Sequence, residues 1–220
     1  MDKNCDLQLG GQVTLKERNP QKSRLAILTA AEFEFAEKGF FGARVDEIAA
    51  KADINKRMIY AYFGDKESLY TQVLLHNYSK MEQVENRLVK ENSSGVELIK
   101  NIISTYFDFL YNNPSFVNIL MWENLNKGYY LKQLENQVIE RKSIKHFISA
   151  IEQGKVDGVF KSEIDSLQIV LSMITTCFAN FSNQYTLSKL FGTDLTQKDV
   201  IESRKQHTTE LILSYLIKEN

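Results

Sequence analysis

Apolar residues recur at steps of three and four along most of the chain, which is the spacing of an amphipathic α-helix. Strict alternation of apolar and polar residues, which is typical of a half-buried β-strand, is not sustained in any segment. The two prolines, Pro20 and Pro114, stand at predicted helix starts, where the amide proton that proline lacks is not needed. The pattern therefore predicts an all-α fold.

The segment over residues 39–70 carries the most informative pattern. It contains four apolar residues spaced i, i+3, i+4 and i+7, namely Val45, Ile48, Ala49 and Ala52. This spacing predicts a short helix with one buried stripe. Asn55 can then cap a second helix that starts at Lys56, and Ile59 and Phe63 would face inward on that helix. Two short helices joined by a tight turn are therefore expected.

The outer face of the second short helix is basic and aromatic. Lys and Arg side chains can contact phosphates or guanine edges, and Tyr hydroxyls can donate to phosphates. Basic residues on a short helix are more often only a solvated face, but here the apolar stripe, the cap and the aromatic pair agree. We therefore predict seven DNA-contacting residues: Arg44, Lys56, Arg57, Met58, Tyr60, Tyr62 and Lys66.

This part of the chain resembles the tetracycline-repressor (TetR) family of bacterial regulators. The resemblance is carried by the helix over 27–35 followed by EKGF, and by Ile48-Ala49, Ala52, Ile54-Asn55, Tyr60, Tyr62-Phe63, Lys66-Glu67 and Leu69. Two departures are Asp53, where the family usually has a turn glycine, and Ala43, where it often has a phosphate-binding threonine. Asp tolerates the left-handed backbone of such a turn less easily than Gly. Arg44 is the neighbouring candidate for the phosphate contact.

The resemblance implies a homodimeric regulator, most often a repressor, that binds a palindromic operator and is released by a small effector. It also implies an N-terminal three-helix helix-turn-helix domain followed by a larger helical ligand-binding and dimerisation domain. We expect a flexible arm over 1–19, the DNA-binding domain over 20–66 and the effector-binding and dimerisation domain over 67–220. Lys16 and Arg18 of the arm are candidates for the minor groove, although a purely solvated arm is the simpler alternative.

Two long helices are predicted near the C-terminus, besides a third over 129–153. The first begins near Ser162 and carries apolar residues at alternating steps of three and four up to Tyr185, which is typical of packing against another helix. The second spans 198–218. In the family the last two long helices form the dimer interface. We therefore predict interface contacts from Ile164, Leu167, Leu171, Ile174, Phe181, Leu211 and Tyr215.

Aromatic residues crowd the second half of the chain. Taken singly, each is more often a core residue, but the resemblance implies a pocket for a small apolar or aromatic effector. We predict six effector-binding residues: Tyr106, Phe107, Trp122, Met173, Cys177 and Phe178. The segment Trp122-Glu123-Asn124 also resembles one found in a subset of TetR-like ligand domains. The alternative is a second domain that binds a partner protein rather than a small ligand.

Composition narrows the function classes. The net charge of -1 means that any DNA binding needs a local basic face. Cys5 and Cys177 are far apart and the three histidines are scattered, so no disulfide, metal or cofactor is expected. No catalytic motif such as a P-loop or GxSxG is present, so we expect no enzyme. No apolar run approaches the roughly 18 residues of a membrane helix, so we expect a cytoplasmic protein without membrane contact.

Overall fold

The computed structural model describes residues 19–91, 93–134 and 142–218 of the chain. These ranges form α-helices and no β-strand, apart from one isolated antiparallel bridge between Phe160 and Ile217. The helices are α1 (Pro20–Gly42), α2 (Val45–Lys51), α3 (Lys56–Phe63), α4 (Lys66–Glu91), α5 (Gly95–Asn112), α6 (Pro114–Leu125), α7 (Tyr129–Lys132), α8 (Lys142–Val156), α9 (Ser166–Ser182), α10 (Gln184–Phe191) and α11 (Lys198–Leu216). The all-α prediction is confirmed. Among the described helices, none is long and apolar enough to cross a membrane.

Helix α1 starts where the proline predicts. Pro20 is its first residue, and the side chain of Asn19 caps it by accepting a hydrogen bond from the Gln21 amide at 3.0 Å. The arm residues Lys16 and Arg18 lie outside the described part of the chain, so the predicted role of the arm stays a prediction.

The same helix is interrupted near its C-terminus. The backbone at Gly39 has φ 65° and ψ 178°, which lies outside the helical region, and one further turn follows up to Gly42. Glycine adopts such a positive φ far more readily than residues with a β-carbon. Beyond the kink, the Phe40 ring packs against Tyr70 and Tyr130, with centroid distances of 5.4 and 4.7 Å.

The turn between α2 and α3 has the predicted geometry. Asp53 adopts the left-handed conformation with φ 51°. Asn55 caps α3, because its Oδ1 accepts a hydrogen bond from the Arg57 amide at 2.9 Å. Ile59 and Phe63 are 1% and 6% exposed and face the N-terminal core. The two short helices expected from the pattern are confirmed.

The chain has two hydrophobic cores. Helices α1 to α3 and the start of α4 enclose the N-terminal core, and α5, α8, α9 and α11 pack with the rest of α4 around the C-terminal core. Helix α6 also belongs to both, since Ile119 lies in the first core and Phe116 in the second. The domain division expected at residue 66 therefore stays a prediction.

The helix expected over 129–153 is not continuous. Helix α7 ends at Lys132, a turn follows at 133–134, and the next described helix is α8 (Lys142–Val156). The residues over 135–141 lie outside the described part of the chain.

The helix expected from Ser162 to Tyr185 also has different bounds. It begins at Ser166, because Asp165 caps it by accepting hydrogen bonds from two backbone amides. It ends at Ser182, and α10 follows as a separate helix. The predicted start near Ser162 is therefore four residues too early.

Candidate nucleic-acid interface and apolar cavity

Helix α3 has one buried and one exposed face. Opposite the buried pair Ile59 and Phe63, the side chains of Lys56, Arg57 and Tyr60 are exposed. Two further residues predicted to contact DNA, Met58 and Tyr62, are half-buried at the margins of this face. The first turn of α3 therefore offers two cations to the solvent, next to a phenol.

Lys56 is linked to the preceding helix by an ion pair. Its Nζ lies 2.8 Å from Oδ1 of Asp46 in α2, and both side chains are largely exposed. The hydrogen bond to Asp46 raises the pKa of Lys56, so the ammonium stays charged. Exposed ion pairs contribute little free energy, so Lys56 can exchange this partner for a phosphate or a base edge. Arg44, at the start of α2, is also exposed.

Lys66 is placed differently from the other predicted DNA contacts. Its Nζ lies 4.8 Å from the centroid of the Phe40 ring, and the side chain is half-buried. Burial lowers the pKa of Lys66. A cation over an aromatic ring is held by the ring's quadrupole. A phosphate contact would require Lys66 to share or leave this ring.

A buried carboxylate holds α2 against α1. Glu34 has no exposed surface, and its two oxygens accept hydrogen bonds from Lys38 at 2.7 Å and Lys51 at 2.8 Å. The Arg44 amide also donates to it, at 3.4 Å. Sequence reasoning missed Glu34, although its i, i+4 spacing to Lys38 was a visible signal.

Arg24 of α1 contacts both α3 and α4. Its guanidinium donates to the Tyr62 carbonyl at 3.2 Å and to Gln72 Oε1 at 2.9 Å. The same group lies 4.5 Å from the centroid of the Phe63 ring. Arg24 therefore positions the C-terminal end of α3.

An apolar cavity lies between α4, α5, α6 and α9. Its volume is about 240 Å³, which is below the range of roughly 300 to 1,000 Å³ for drug-sized ligand pockets. It is lined by Tyr78, Met81, Tyr106, Leu110, Phe116, Leu120, Asn124, Ile174, Thr175 and Phe178. No charged side chain is among these lining residues, and four of them carry a hydroxyl or an amide. The cavity therefore suits a small neutral molecule with one or two hydrogen-bonding groups.

Only part of the predicted effector site lines this cavity. Tyr106 and Phe178 do. Phe107, Met173 and Cys177 are instead completely buried in the C-terminal core, and burial raises the pKa of the Cys177 thiol to about 12. These three assignments are corrected, because the residues point to the core side of their helices.

The assignment of Trp122 to the effector site is also corrected. Trp122 lies on the opposite side of α6 from the cavity, and its indole N–H donates to the Ala36 carbonyl of α1 at 3.1 Å. The cavity residues that sequence reasoning missed include Tyr78 and Asn124. Asn124 belongs to the same short segment as Trp122, so the segment was recognised but its ligand-facing residue was not.

Tyr106 connects the cavity wall to two other helices. Its hydroxyl donates to the carboxylate of Glu85 in α4, and Ser143 in α8 donates to the other oxygen of Glu85 at 2.6 Å. All three side chains are buried, and burial raises the pKa of Tyr106. A ligand that displaces Tyr106 would therefore disturb α4, which leads directly to the DNA-binding domain.

Helices α9 and α11 pack against each other, and each exposes two large apolar side chains. Leu167, Leu171, Leu211 and Tyr215 are each at least half exposed, with values of 53%, 50%, 55% and 60%. Scattered exposed leucines are common, but a group on two packed helices marks an interaction surface. This group, called the α9/α11 surface below, contains four of the seven predicted interface residues.

The other three residues assigned to the interface lie elsewhere. Ile164 and Phe181 are each 5% exposed and belong to the C-terminal core. Phe181 packs against Phe107 with a centroid distance of 5.7 Å. Ile174 is half-buried and lines the apolar cavity. The assignment of Ile164 and Phe181 to the interface is corrected, because helices of the same chain already cover them, whereas the assignment of Ile174 stays a prediction.

Two family descriptions match the chain. "Bacterial regulatory proteins, tetR family" matches residues 27–73, and "Tetracyclin repressor-like, C-terminal domain" matches residues 96–212. The HTH-type transcriptional repressor NicS of Pseudomonas putida is 31% identical over 84% of this chain and 87% of its own. The HTH-type transcriptional repressor SCO4008 of Streptomyces coelicolor is 28% identical over 71% of this chain and 77% of its own.

Solved structures with the same fold include the transcriptional regulator FadR from Bacillus subtilis in complex with stearoyl-CoA. It has a TM-score of 0.69 at 19% identity and covers 87% of this chain and 98% of its own. A TetR transcriptional regulator from Chloroflexus aurantiacus has a TM-score of 0.69 at 16% identity, over 91% and 98% of the two chains. At these identities the likeness concerns the fold alone.

Proposed function

The chain belongs to the TetR family of bacterial transcriptional regulators, and from this premise we propose that it represses transcription as a homodimer on a palindromic operator. A small neutral effector with an apolar or aromatic body then releases it. The observation that carries this proposal is α3, whose buried face docks on the N-terminal core while Lys56 and Arg57 project from its exposed first turn.

Helix α3 is the element that enters the major groove. Recognition helices contact base edges through residues near their N-terminus. Lys56 and Arg57 stand there, and both can pair with guanine O6 and N7. Arg44 and Tyr60 flank them and contact phosphates, which set the position of the helix but carry no sequence information.

The α9/α11 surface is the dimer interface. A palindromic operator is bound by two recognition helices, one α3 from each subunit, that are related by a two-fold axis. A two-fold interface buries the same surface of both subunits, so one group of exposed apolar side chains is sufficient to form it. Leu171 and Leu211 are the central contacts, since each is about half exposed in the single chain.

The apolar cavity is the effector site. An effector that binds better to the conformation with low DNA affinity must weaken DNA binding by the same factor by which DNA weakens effector binding. The neutral lining favours an uncharged ligand, because a buried charge without a partner is costly. The cavity also favours a small ligand over the alternative in which this domain binds a partner protein.

Selection from a pool of random DNA duplexes with the purified full-length chain tests the proposal. The bound sequences should contain an inverted repeat whose half-sites are about 34–36 Å, or a multiple of this distance, apart. A variant with Lys56→Ala and Arg57→Ala should lose this enrichment. A control with Lys189→Ala and Lys198→Ala removes the same charge from exposed positions on α10 and α11 and should keep it. Enrichment of sequences without a repeat, or loss in the control, would exclude the proposed mode of binding.

A further inference from the structure

Helix α6 lies between the cavity and the DNA-binding domain. Phe116, Leu120 and Asn124 repeat at i, i+4 and i+8 and line the cavity. On another side of the helix, Ile119 belongs to the N-terminal core and Trp122 reaches α1. This one helix therefore contacts both the apolar cavity and the domain that carries α3.

The contact of Trp122 with α1 depends on the kink in α1. The indole N–H donates to the Ala36 carbonyl at 3.1 Å. The indole ring lies directly on Gly39, where a β-carbon would stand 2.8 to 3.0 Å from three ring atoms. Real β-carbons essentially never come this close to a neighbour, so the ring can occupy this place only because residue 39 is a glycine. Ala36, Gly39 and Trp122 are called the Trp122 latch below.

The next residue extends this contact to two more helices. Glu123 is 1% exposed, and one of its oxygens accepts a hydrogen bond from the Tyr130 amide at 3.0 Å. Its carboxylate faces Tyr70 of α4, and burial raises the pKa of Glu123. The rings of Tyr70 and Tyr130 pack against each other at a centroid distance of 4.8 Å. The C-terminal end of α6 is therefore joined to α1, α4 and α7.

We propose that Trp122 is a positioning residue, which sets the orientation of the DNA-binding domain by fixing α6 on the kinked end of α1. The indole acts through a specific hydrogen bond and a close approach to Gly39, not through burial alone, because the side chain itself is only half-buried. The opposite side of α6 forms a cavity wall, so a ligand that moves this wall also moves the latch. This inference rests on the proposed binding of two reading helices to one palindrome.

The orientation of the domain matters only when both reading helices bind at once. A single half-site is bound by one DNA-binding domain, so affinity for a half-site does not depend on how two domains are oriented relative to each other. A palindrome requires both domains at one spacing and angle. The ratio of affinity for the palindrome to affinity for a half-site therefore reports orientation, and a purely structural role of Trp122 would not change this ratio selectively.

The test compares wild type, Trp122→Phe and Met121→Ala on two duplexes of equal length. One duplex carries the selected palindrome, and the other carries one half-site with the second half-site scrambled. Trp122→Phe keeps an aromatic ring but removes the N–H donor, and Met121 is an exposed neighbour on the same helix. We expect the ratio to fall at least about fivefold in Trp122→Phe, the lower end of typical coupling between sites. The half-site affinity of both variants and the ratio in Met121→Ala should stay within about twofold of wild type.

Gly39→Ala perturbs the same contact from the other side. Its new β-carbon would displace the indole ring, so the ratio should fall here as well. Trp122 is the single tryptophan of the chain, and its emission should shift to longer wavelength in Gly39→Ala if the ring leaves the latch. Circular dichroism verifies that both variants fold.

The outcomes separate the two proposals. A wild-type chain that does not prefer the palindrome over the half-site refutes the proposed function, and the latch with it. A wild-type preference that persists in Trp122→Phe and Gly39→Ala refutes the latch alone. Loss of helical structure in both variants, or an equal fall in affinity for both duplexes, would assign Trp122 to stability and also refute the latch.

Discussion

Glu34 is a carboxylate without exposed surface inside the DNA-binding domain, and its environment sets its charge. Burial raises the pKa of Glu34, but hydrogen bonds from Lys38 and Lys51 outweigh burial and hold the pKa below its ordinary value of 4.5. A carboxyl with a lowered pKa stabilises the folded state at neutral pH. Glu34 therefore stabilises the packing of α2 on α1, which in turn positions α3.

We expect Glu34→Gln to lower the free energy of unfolding by about 1–2 kcal/mol at pH 7. This is less than the 3–5 kcal/mol typical of a broken buried pair, because both lysines remain partly hydrated. The contribution of Glu34 is present above pH 4.5 and disappears as the pH falls through its lower folded pKa. Thermal unfolding at several pH values should show that the difference in stability between the variant and wild type becomes smaller at acidic pH. Glu37→Gln changes an exposed neighbour and serves as the control. A stability difference between Glu34→Gln and wild type that does not depend on pH would contradict this account.

Asp53 offers a second test at this scale. Its φ of 51° is left-handed, a conformation that costs residues with a β-carbon roughly 1 kcal/mol. We expect Asp53→Gly to raise the free energy of unfolding by up to about 1 kcal/mol, and Asp53→Ala to lower it, because alanine has the steric cost without a polar side chain that can bond locally. Urea unfolding measures both. Equal stability of the two variants would show that the turn is not strained.

Helix α9 has different neighbours on its two sides. Its inner side, with Val170, Met173 and Cys177, is buried in the C-terminal core, while Leu167 and Leu171 are exposed. Its apolar stripe is wider than one partner helix requires. Periodicity cannot tell which part of such a stripe the chain itself covers, because all parts share the same spacing. For this reason periodicity placed Phe181 in the interface, although this residue is buried in the core of its own chain.

The revised interface predicts which substitution will separate the subunits. Leu171→Glu places a charge on the exposed α9/α11 surface, so the single chain should fold normally while the dimer loses several kcal/mol through a buried unpaired charge. Sedimentation velocity should show a shift from dimer to monomer. Ser172→Glu adds the same charge at the next, exposed position, outside this surface, and should remain dimeric. A dimer of wild-type affinity in Leu171→Glu would exclude this interface.

Substitutions in α3 and at the start of α4 distinguish base recognition from contact with phosphate. Arg57→Ala should cost about 1–3 kcal/mol at one operator position and relax the preference there, because a bidentate contact to one base is lost. Lys66→Ala should instead weaken binding to all sequences alike and reduce the salt slope by about 1. Binding to single-base operator variants at several salt concentrations distinguishes the two. If Lys66→Ala leaves the salt slope unchanged, its ammonium stays on Phe40 and does not contact phosphate.

The whole molecule consists of two cores that share α4 and α6. Helix α4 begins beside α3 and later supplies Met81 and Tyr78 to the cavity, while α6 connects the cavity to the kinked end of α1. A ligand between these helices is therefore in contact with both connections to the DNA-binding domain. This arrangement suits a sensor, because differential binding to two domain orientations is sufficient for coupling.

The cavity predicts a preference for neutral ligands. Benzamide should raise the melting temperature, whereas benzoate of the same size should not, because no lining residue carries a charge. A ligand at 100 times its Kd stabilises by about 2.7 kcal/mol, which thermal unfolding resolves. Thr175→Phe adds a ring at an exposed position of the cavity wall and should abolish the shift. Ser172→Phe adds the same ring outside the lining and should retain it, so a loss in both variants would place the ligand elsewhere.

The sequence by itself determined the helical fold, the two short helices and the cap at Asn55. These features depend on residues within one or two helical turns, so their spacing is visible without any tertiary contact. For the same reason the inward side of α3 was predicted correctly from Ile59 and Phe63.

Only the tertiary structure decided what each buried residue packs against. Phe107 and Phe178 are both aromatic, yet only Phe178 lines the cavity. Trp122 is of a residue type that is common in ligand sites. In the structure its ring instead packs against α1, where the kink at Gly39 leaves room for it. An amphipathic period shows that a side of a helix is covered. It does not show which helix covers it, because that depends on contacts between residues far apart in the chain.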